Sequence, residues 1–256
     1  MNPPTFPSVL GRPLVLGHRG ASAEAPENTL AAFRRAMELG ADGFELDVWR
    51  CGSGEAVVIH DEDAARTGQS RLRIGRTTLS RLRELDVGRW RGELFQGERI
   101  PLLSEVLHAF PSAVVNVDMK SGQVPDLGLA REVARTLRQH QAEPRVVVSS
   151  FSAALLAAFR ALAPHVAAGY LVAPGTLWRA RAAVAVRLLR PAAIHPARQL
   201  VTPARMEAWG RDGLRVLVWT VDDPAEVERL AALGVAAVVS NVPGAAREAV
   251  RRATGI

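Results

Sequence analysis

The sequence predicts an α/β fold, a TIM (β/α)8 barrel with a small insertion after its second strand, on three observations. Short β-rich apolar runs recur eight times, at 14–17, 43–48, 113–118, 145–149, 167–172, 192–195, 215–219 and 236–240. The stretches between them mostly carry apolar residues at three- and four-residue spacing, the period of a helix with one buried face. Such alternation builds a parallel sheet, and eight units close it into a barrel. The length, 256 residues that are 48% hydrophobic, suits one such barrel, and no Ser-rich, Gln-rich or repeated segment divides the chain. Residues 1–256 are therefore read as one domain, with the insertion at about 50–100.

The first run, 14–17, leads directly into His18. A helical pattern follows at 28–39, with Asn28 or Thr29 placed to cap it. In the second run, Gly43-Phe44-Glu45-Leu46-Asp47-Val48, period two sets Phe44, Leu46 and Val48 on one face and Glu45 with Asp47 on the other. A ninth apolar run, 56–60, comes after the turn Gly52-Ser53-Gly54. A crossover to a parallel neighbour needs about a dozen residues, so this run is expected to fold back as an antiparallel hairpin that ends at His60. The segment 62–99 is polar, rich in arginine and weakly periodic. It reads as a rim excursion that shapes substrate access, ahead of a helix beginning near Ser104. The run 113–118 repeats the alternation, so that Asn116, Asp118 and Lys120 share a face. Helical patterns at 126–140, 152–162, 177–189, 202–210 and 224–233 accompany the remaining runs.

Composition narrows the partners. The formal charge of +6 comes almost wholly from arginine and reads as compositional bias, since no nucleic-acid-binding signature accompanies it. Nucleic acid is not expected as a partner. Cys51 is the only cysteine, which excludes an internal disulfide and a Cys-rich zinc site. The opening residues 1–7 lack a basic start, and no stretch reaches the roughly 18 to 20 apolar residues of a membrane span. A cytoplasmic location is expected. The basic stretch from Trp178-Arg179-Ala180-Arg181 to Arg187 and Arg190 fits an outer barrel helix, so membrane contact is not expected either. Nothing in the sequence assigns an oligomeric state.

The outer face of a barrel strand meets helices and must be apolar, so Glu45, Asp47 and Asp118 point inward. Inward acids are costly unless compensated. Three carboxylates against Arg19 and Lys120 leave room for one divalent cation and one singly charged anion before the charge balances. All-oxygen ligands suit a hard ion, Mg²⁺ or Ca²⁺, with Mn²⁺ a further candidate. Lys120 is the only lysine, which suits a site wanting a compact point charge. His18 and His60 both reach the C-terminal mouth, where barrel active sites are built, and two imidazoles beside acids suit general acid and base. Arg19 can grip an anionic oxygen with two donors, Asp61 can orient His60, and Glu27 is a candidate support for the metal or a histidine. Trp219 is a candidate wall for an apolar portion of a bound molecule. The ordinary role of His108, His140 and His165 is structural or solvent-facing, while His195, before Pro196, could also line the mouth.

These motifs resemble the glycerophosphodiester phosphodiesterase family. The likeness runs through His18-Arg19, Glu27-Asn28, Glu45-Leu46-Asp47 and His60-Asp61 in order. It continues through Ile100-Pro101-Leu102-Leu103-Ser104-Glu105-Val106, Ser149-Ser150-Phe151, Trp219-Thr220-Val221 and Ser240-Asn241-Val242-Pro243. The resemblance implies metal ligation by Glu45, Asp47 and Asp118, acid and base roles for His18 and His60, and phosphate binding by Arg19 and Lys120. It implies cleavage of a small-molecule glycerophosphodiester to sn-glycerol 3-phosphate and an alcohol. A lysophospholipase D-like reaction at a membrane surface is the alternative. Two positions depart from the family pattern: Asp118 stands where Glu is usual, one methylene shorter, and Ser240 where Thr is usual, which keeps the hydroxyl.

Overall fold

In the computed structural model of the protein, residues 6–7 and 11–256 are described, and for 176–181 the backbone alone. The opening residues 1–5 and the side chains of the basic stretch 178–181 therefore lie outside the described residues. The chain runs β1 (Leu14–His18), α1 (Leu30–Glu38), β2 (Gly43–Arg50), β3 (Ala56–Val58), α2 (Ala65–Gly68), α3 (Leu79–Leu82), α4 (Leu103–Ala109) and β4 (Val114–Met119). It continues α5 (Leu127–Gln139), β5 (Val146–Ser150), α6 (Ala153–Leu162), β6 (Ala167–Val172), α7 (Thr176–Leu189) and β7 (Ala193–Pro196). It ends α8 (Pro203–Arg211), β8 (Arg215–Val218), α9 (Pro224–Ala232), β9 (Ala237–Ser240) and α10 (Pro243–Thr254).

Eight parallel strands close the barrel in the order β1, β2, β4, β5, β6, β7, β8, β9, with β9 returning to β1. β3 lies outside this circle, antiparallel to the far end of β2 with Val48 opposite Val58. The short Gly-Ser-Gly link permits only that hairpin.

Alternation explains the layering. Phe44, Leu46 and Val48 of β2 are fully buried outside the barrel against the helices, where Phe44 stacks on Phe33 of α1 at 4.3 Å and meets Phe110 edge-on at 5.2 Å. The opposite faces of the strands fill the barrel floor with Leu14, Leu16, Val147, Ala167, Ala193, Leu217, Ala237 and Val239. Helix starts are capped by short polar side chains: Thr29, Asp126, Ser152, Thr202 and Asp223 each accept a backbone N–H of the first turn. Thr29, not Asn28, is thus the cap of α1.

Three local differences from the sequence reading have physical causes. Residue 145 belongs to a single 3₁₀ turn, Glu143–Arg145, because Pro144 holds that turn before β5 begins. α10 buries Pro243, Ala246, Ala249 and Val250, and a face of small residues, half of them alanine, gives little apolar periodicity. The insertion has its own small core of Cys51, Val57, Ile59, Ala64, Ile74, Leu82, Val87 and Ile100, but its helices are only one turn long, too short for a periodic pattern. No helix among the described residues is long and apolar enough to cross a membrane.

Candidate active site

Strand register assembles the acids. Glu45 lies opposite His18 of β1 and Asn116 of β4, while Asp47 lies opposite Asp118. Being in register on inward faces, Glu45, Asp47 and Asp118 bring one carboxylate oxygen each within 4.8 Å of one another, and all three are buried. Lys120 Nζ sits 2.7 Å from Asp47 Oδ1 and 2.6 Å from Asp118 Oδ2. Burial opposes a charged lysine, but the charges of Asp118, Asp47 and Glu45 outweigh it and raise the ammonium. Burial also works against an ionised Asp47, and Lys120 and Arg19 overcome it, lowering that carboxyl. Glu45 goes the other way, pushed well up by burial and by the charges of Asp47 and Asp118. Asp118 is raised as well, chiefly by burial, and its Oδ1 is buried without a hydrogen-bond partner among the described residues. The cluster is short of positive charge, and an orphaned carboxylate oxygen faces it. Those oxygens fit a hard divalent cation.

The loop between β1 and α1 supplies the cationic side. Arg19 and Asn28 both take left-handed backbone, at φ 55° and 58°, which is locally unfavourable for a residue with a side chain and is better tolerated by Asn. Hydrogen bonds hold them there. Asn28 N donates to Arg19 O at 3.0 Å, Arg19 N to Glu45 Oε2 at 3.2 Å, and Asn28 Nδ2 to Asp47 Oδ2 at 2.8 Å. The Arg19 guanidinium donates from Nη1 to Glu27 Oε1 at 2.8 Å and lies 3.2 Å through Nε from Asp47 Oδ2. Glu27 therefore contacts arginines, not the acid cluster: its second partner is Arg66 of α2. The connection also needs Gly20, whose φ is +86° and whose Cβ would lie 2.5 Å from the Ala32 backbone.

The two histidines enter from different loops, each tied through Nδ1. His18 Nδ1 is 2.7 Å from Asn241 Oδ1. Asn241 Nδ2 donates to Asp222 Oδ2 at 2.6 Å, and Ser22 Oγ donates to Asn241 Oδ1 at 2.7 Å. A carboxylate only accepts, so the amide oxygen must face the imidazole, Nδ1 must carry the proton and Nε2 keeps its lone pair. Burial, then the charge of Arg19, lowers the His18 imidazole below its ordinary value and keeps it neutral. His60 stands just beyond β3, its carbonyl accepting from Trp49 Nε1 at 2.9 Å and its Nδ1 placed 2.7 Å from Asp61 Oδ1. Burial would raise the Asp61 carboxyl, but its bonds from Arg66 and His60 prevail and lower it.

The cavity, about 100 Å³ in volume, is lined by the three acids together with both histidines, Arg19, Lys120 and Trp219, and by Asn116, Ser149, Phe151 and His195. Trp219 meets Phe151 edge-on at 5.8 Å and donates from Nε1 to His195 O at 2.7 Å. His195 is wholly buried, with neither ring nitrogen partnered among the described residues, and burial lowers its imidazole to about 3. Its ring occupies the space left by Gly169, where a Cβ would fall 2.1 Å from Nε2. The barrel thus gathers every predicted site residue at one mouth or in its supporting network. Sequence reasoning missed Arg66, Ser22 and Asp222 altogether and took Asn241 only as a landmark. Their partners lie far away in sequence, so no local pattern marks them.

Comparison with known proteins agrees with this geometry. Residues 18–245 match the model of the glycerophosphoryl diester phosphodiesterase family. A glycerophosphodiester phosphodiesterase of Caldanaerobacter subterraneus subsp. tengcongensis is 38% identical over 234 residues, 90% of this chain and 94% of that protein. The crystal structure of an Oleispira antarctica phosphodiesterase in complex with the product sn-glycerol-3-phosphate superposes with a TM-score of 0.85 at 30% identity, covering 93% of this chain and 97% of that one. A glycerophosphodiester phosphodiesterase of Agrobacterium tumefaciens gives a TM-score of 0.78 at 27% identity over 92% of this chain and 99% of that one. On its sequence, its barrel and the content of its mouth, the chain belongs to the glycerophosphoryl diester phosphodiesterase family.

Proposed function

We propose that the protein hydrolyses glycerophosphodiesters to sn-glycerol 3-phosphate and an alcohol, and that the described barrel with its rim insertion is one catalytic domain. The observation that carries this reading is the pair of imidazoles, His18 and His60, lining one cavity with three buried acids. A relative of the same fold with sn-glycerol-3-phosphate bound supports the choice of substrate.

His18, neutral and with Nε2 open, is the general base that takes the proton of the attacking hydroxyl: water gives sn-glycerol 3-phosphate directly, whereas the glycerol 2-hydroxyl expels the alcohol as a cyclic phosphate that water must then open. His60, with the Asp61 carboxylate behind it, is the general acid that protonates the departing alkoxide. Acid–base transfer contributes about 10²- to 10⁴-fold, so charge on the phosphoryl group must be met as well. Arg19 and Lys120 are the cations for that task, and Trp219 walls the alcohol or glycerol portion. Glu45, Asp47 and Asp118 would hold a divalent cation, Mg²⁺ or Ca²⁺, which when bound supplies Lewis-acid stabilisation of a phosphoryl oxygen.

The test is release of sn-glycerol 3-phosphate from glycerophosphocholine and glycerophosphoethanolamine by EDTA-treated protein given back Mg²⁺, Ca²⁺ or Mn²⁺ in turn. Release restored by an ion is the expected result. No release with any ion, from folded protein, refutes the reading.

One observation favours a second substrate class. Phe151 lines both the catalytic cavity and a neighbouring apolar cavity of about 520 Å³, with Tyr170, Val184, Leu188 and Leu189. An acyl chain leaving the mouth past Phe151 would enter it, as lysophospholipid cleavage requires. Turnover of lysophosphatidylcholine micelles, compared with glycerophosphocholine, decides between them.

A further inference from the structure

Arg66, on α2 of the insertion, makes three hydrogen bonds to two carboxylates from different loops. Its Nη1 and Nη2 donate to Glu27 Oε2 and Oε1 at 2.6 and 2.8 Å, and its Nε donates to Asp61 Oδ2 at 2.7 Å. Each carboxylate carries a site residue on its other side: Arg19 Nη1 reaches Glu27 Oε1 at 2.8 Å, and His60 Nδ1 reaches Asp61 Oδ1 at 2.7 Å. Arg19, Glu27, Arg66, Asp61 and His60 thus form one continuous line of charged contacts around the mouth.

We propose that Arg66 is a positioning residue that fixes the His60 imidazole relative to Arg19, so that the proton donor and the phosphate cation keep one geometry. This rests on the acid role of His60 given above. The side chains of His60 and Asp61 are 33% and 32% exposed, so packing alone does not hold them, and directed hydrogen bonds must. Proton transfer needs the donor within about 2.6 to 3.2 Å of its acceptor, a tolerance that a freely turning Asp61 would not preserve. The guanidinium grips Glu27 with two donors and Asp61 with a third in a rigid fork, whereas an ammonium in its place would be a point charge without that fixed direction. The backbone of α2 is anchored independently, by buried Ala64 and Thr67 on either side of a 44%-exposed Arg66 side chain. Truncating Arg66 therefore leaves the small core of the insertion in place.

The experiment compares Arg66→Ala and Arg66→Lys with wild type on two diesters, glycerophosphocholine and bis(4-nitrophenyl) phosphate, whose aryl leaving group departs without a proton. Losing acid catalysis outright costs about 10²- to 10⁴-fold, so misplacing its donor is expected to cost about 10- to 100-fold. Both variants are expected to lose that much kcat on the alkyl diester and at most about 3-fold on the aryl diester, where acid catalysis contributes little. Equal losses in kcat on both diesters, or full activity in Arg66→Lys, would overturn the proposal. Imidazole ¹⁵N NMR of His60 in the full chain gives a readout that does not depend on which diester is the substrate. The His60 Nδ1–H signal, protected in wild type, is expected to exchange rapidly in Arg66→Lys, and its persistence refutes the positioning role even if the substrate assignment fails.

Discussion

His18 and Asn241, 223 residues apart in the chain, meet at 2.7 Å between Nδ1 and the amide oxygen. Asn241 cannot turn its amide over, because its nitrogen donates to Asp222 and its oxygen accepts from Ser22. The tautomer of a residue at the end of β1 is therefore set by the loop after β9.

Removing that constraint has a measurable consequence. His18→Ala is expected to lower kcat by about 10²- to 10⁴-fold, the usual worth of a general base. Asn241→Leu, which keeps the imidazole but frees its tautomer, should fall between that variant and wild type. Steady-state kinetics on glycerophosphocholine, with circular dichroism to verify folding, measures both. Wild-type kcat in Asn241→Leu would remove the amide from the mechanism.

The pH profile should show the same imidazole. A base works only when unprotonated, and burial together with Arg19 lowers His18 below its ordinary value, so it stays competent into more acid solution. The acid limb of kcat/KM is expected below pH ~6.5, the value of a free imidazole. Arg19→Gln removes one of the two causes and should move the limb upward while reducing the rate. An unmoved limb would mean that another group controls it.

His195 makes the fold sensitive to acid. Its imidazole titrates near 6.5 in the unfolded chain and at about 3 in the barrel. Between those values the unfolded state binds one more proton, so stability rises with pH across this window and is lost on acidification. From pH 7 to pH 5 His195 should cost about 2 kcal/mol. Urea unfolding of wild type and His195→Gln at the two pH values tests this, with a shallower pH dependence expected in the variant. Parallel curves would contradict it.

Metal should act on stability as well as turnover. An ion held by Glu45, Asp47 and Asp118 stabilises the folded chain by about 2.7 kcal/mol at a hundredfold excess over its Kd. Thermal unfolding with and without Mg²⁺ or Ca²⁺ should show an upward shift in wild type that Asp118→Asn reduces sharply. Asp118→Glu, which restores the longer side chain usual in the family, should retain the shift. A shift undiminished in Asp118→Asn would place the ion elsewhere.

Much of this was legible in local pattern. The alternation in 43–48 and 115–120 reports which side of a strand is wet, and the barrel count then turns Glu45, Asp47, Asp118 and Lys120 inward. His18 and His60 were legible because each ends a run that points to the mouth. Glu27 was not, since its role lies in contacts with Arg19 and Arg66 that no spacing announces. The one-turn helices of the insertion and the small-residue face of α10 were faint for the same reason that makes periodicity useful elsewhere: it needs length and apolar contrast.

Composition, period and turn residues specified the closed eight-strand barrel, its inward acids and the two histidines at its rim, because each of these follows from neighbours within a few residues. Only the folded chain decided that Asn241 orients His18, that Arg66 joins Glu27 to Asp61, and that His195 lines the catalytic cavity unpartnered among the described residues. Hydrogen-bond partners and burial are properties of three-dimensional proximity, and the sequence carries them only through the fold it specifies.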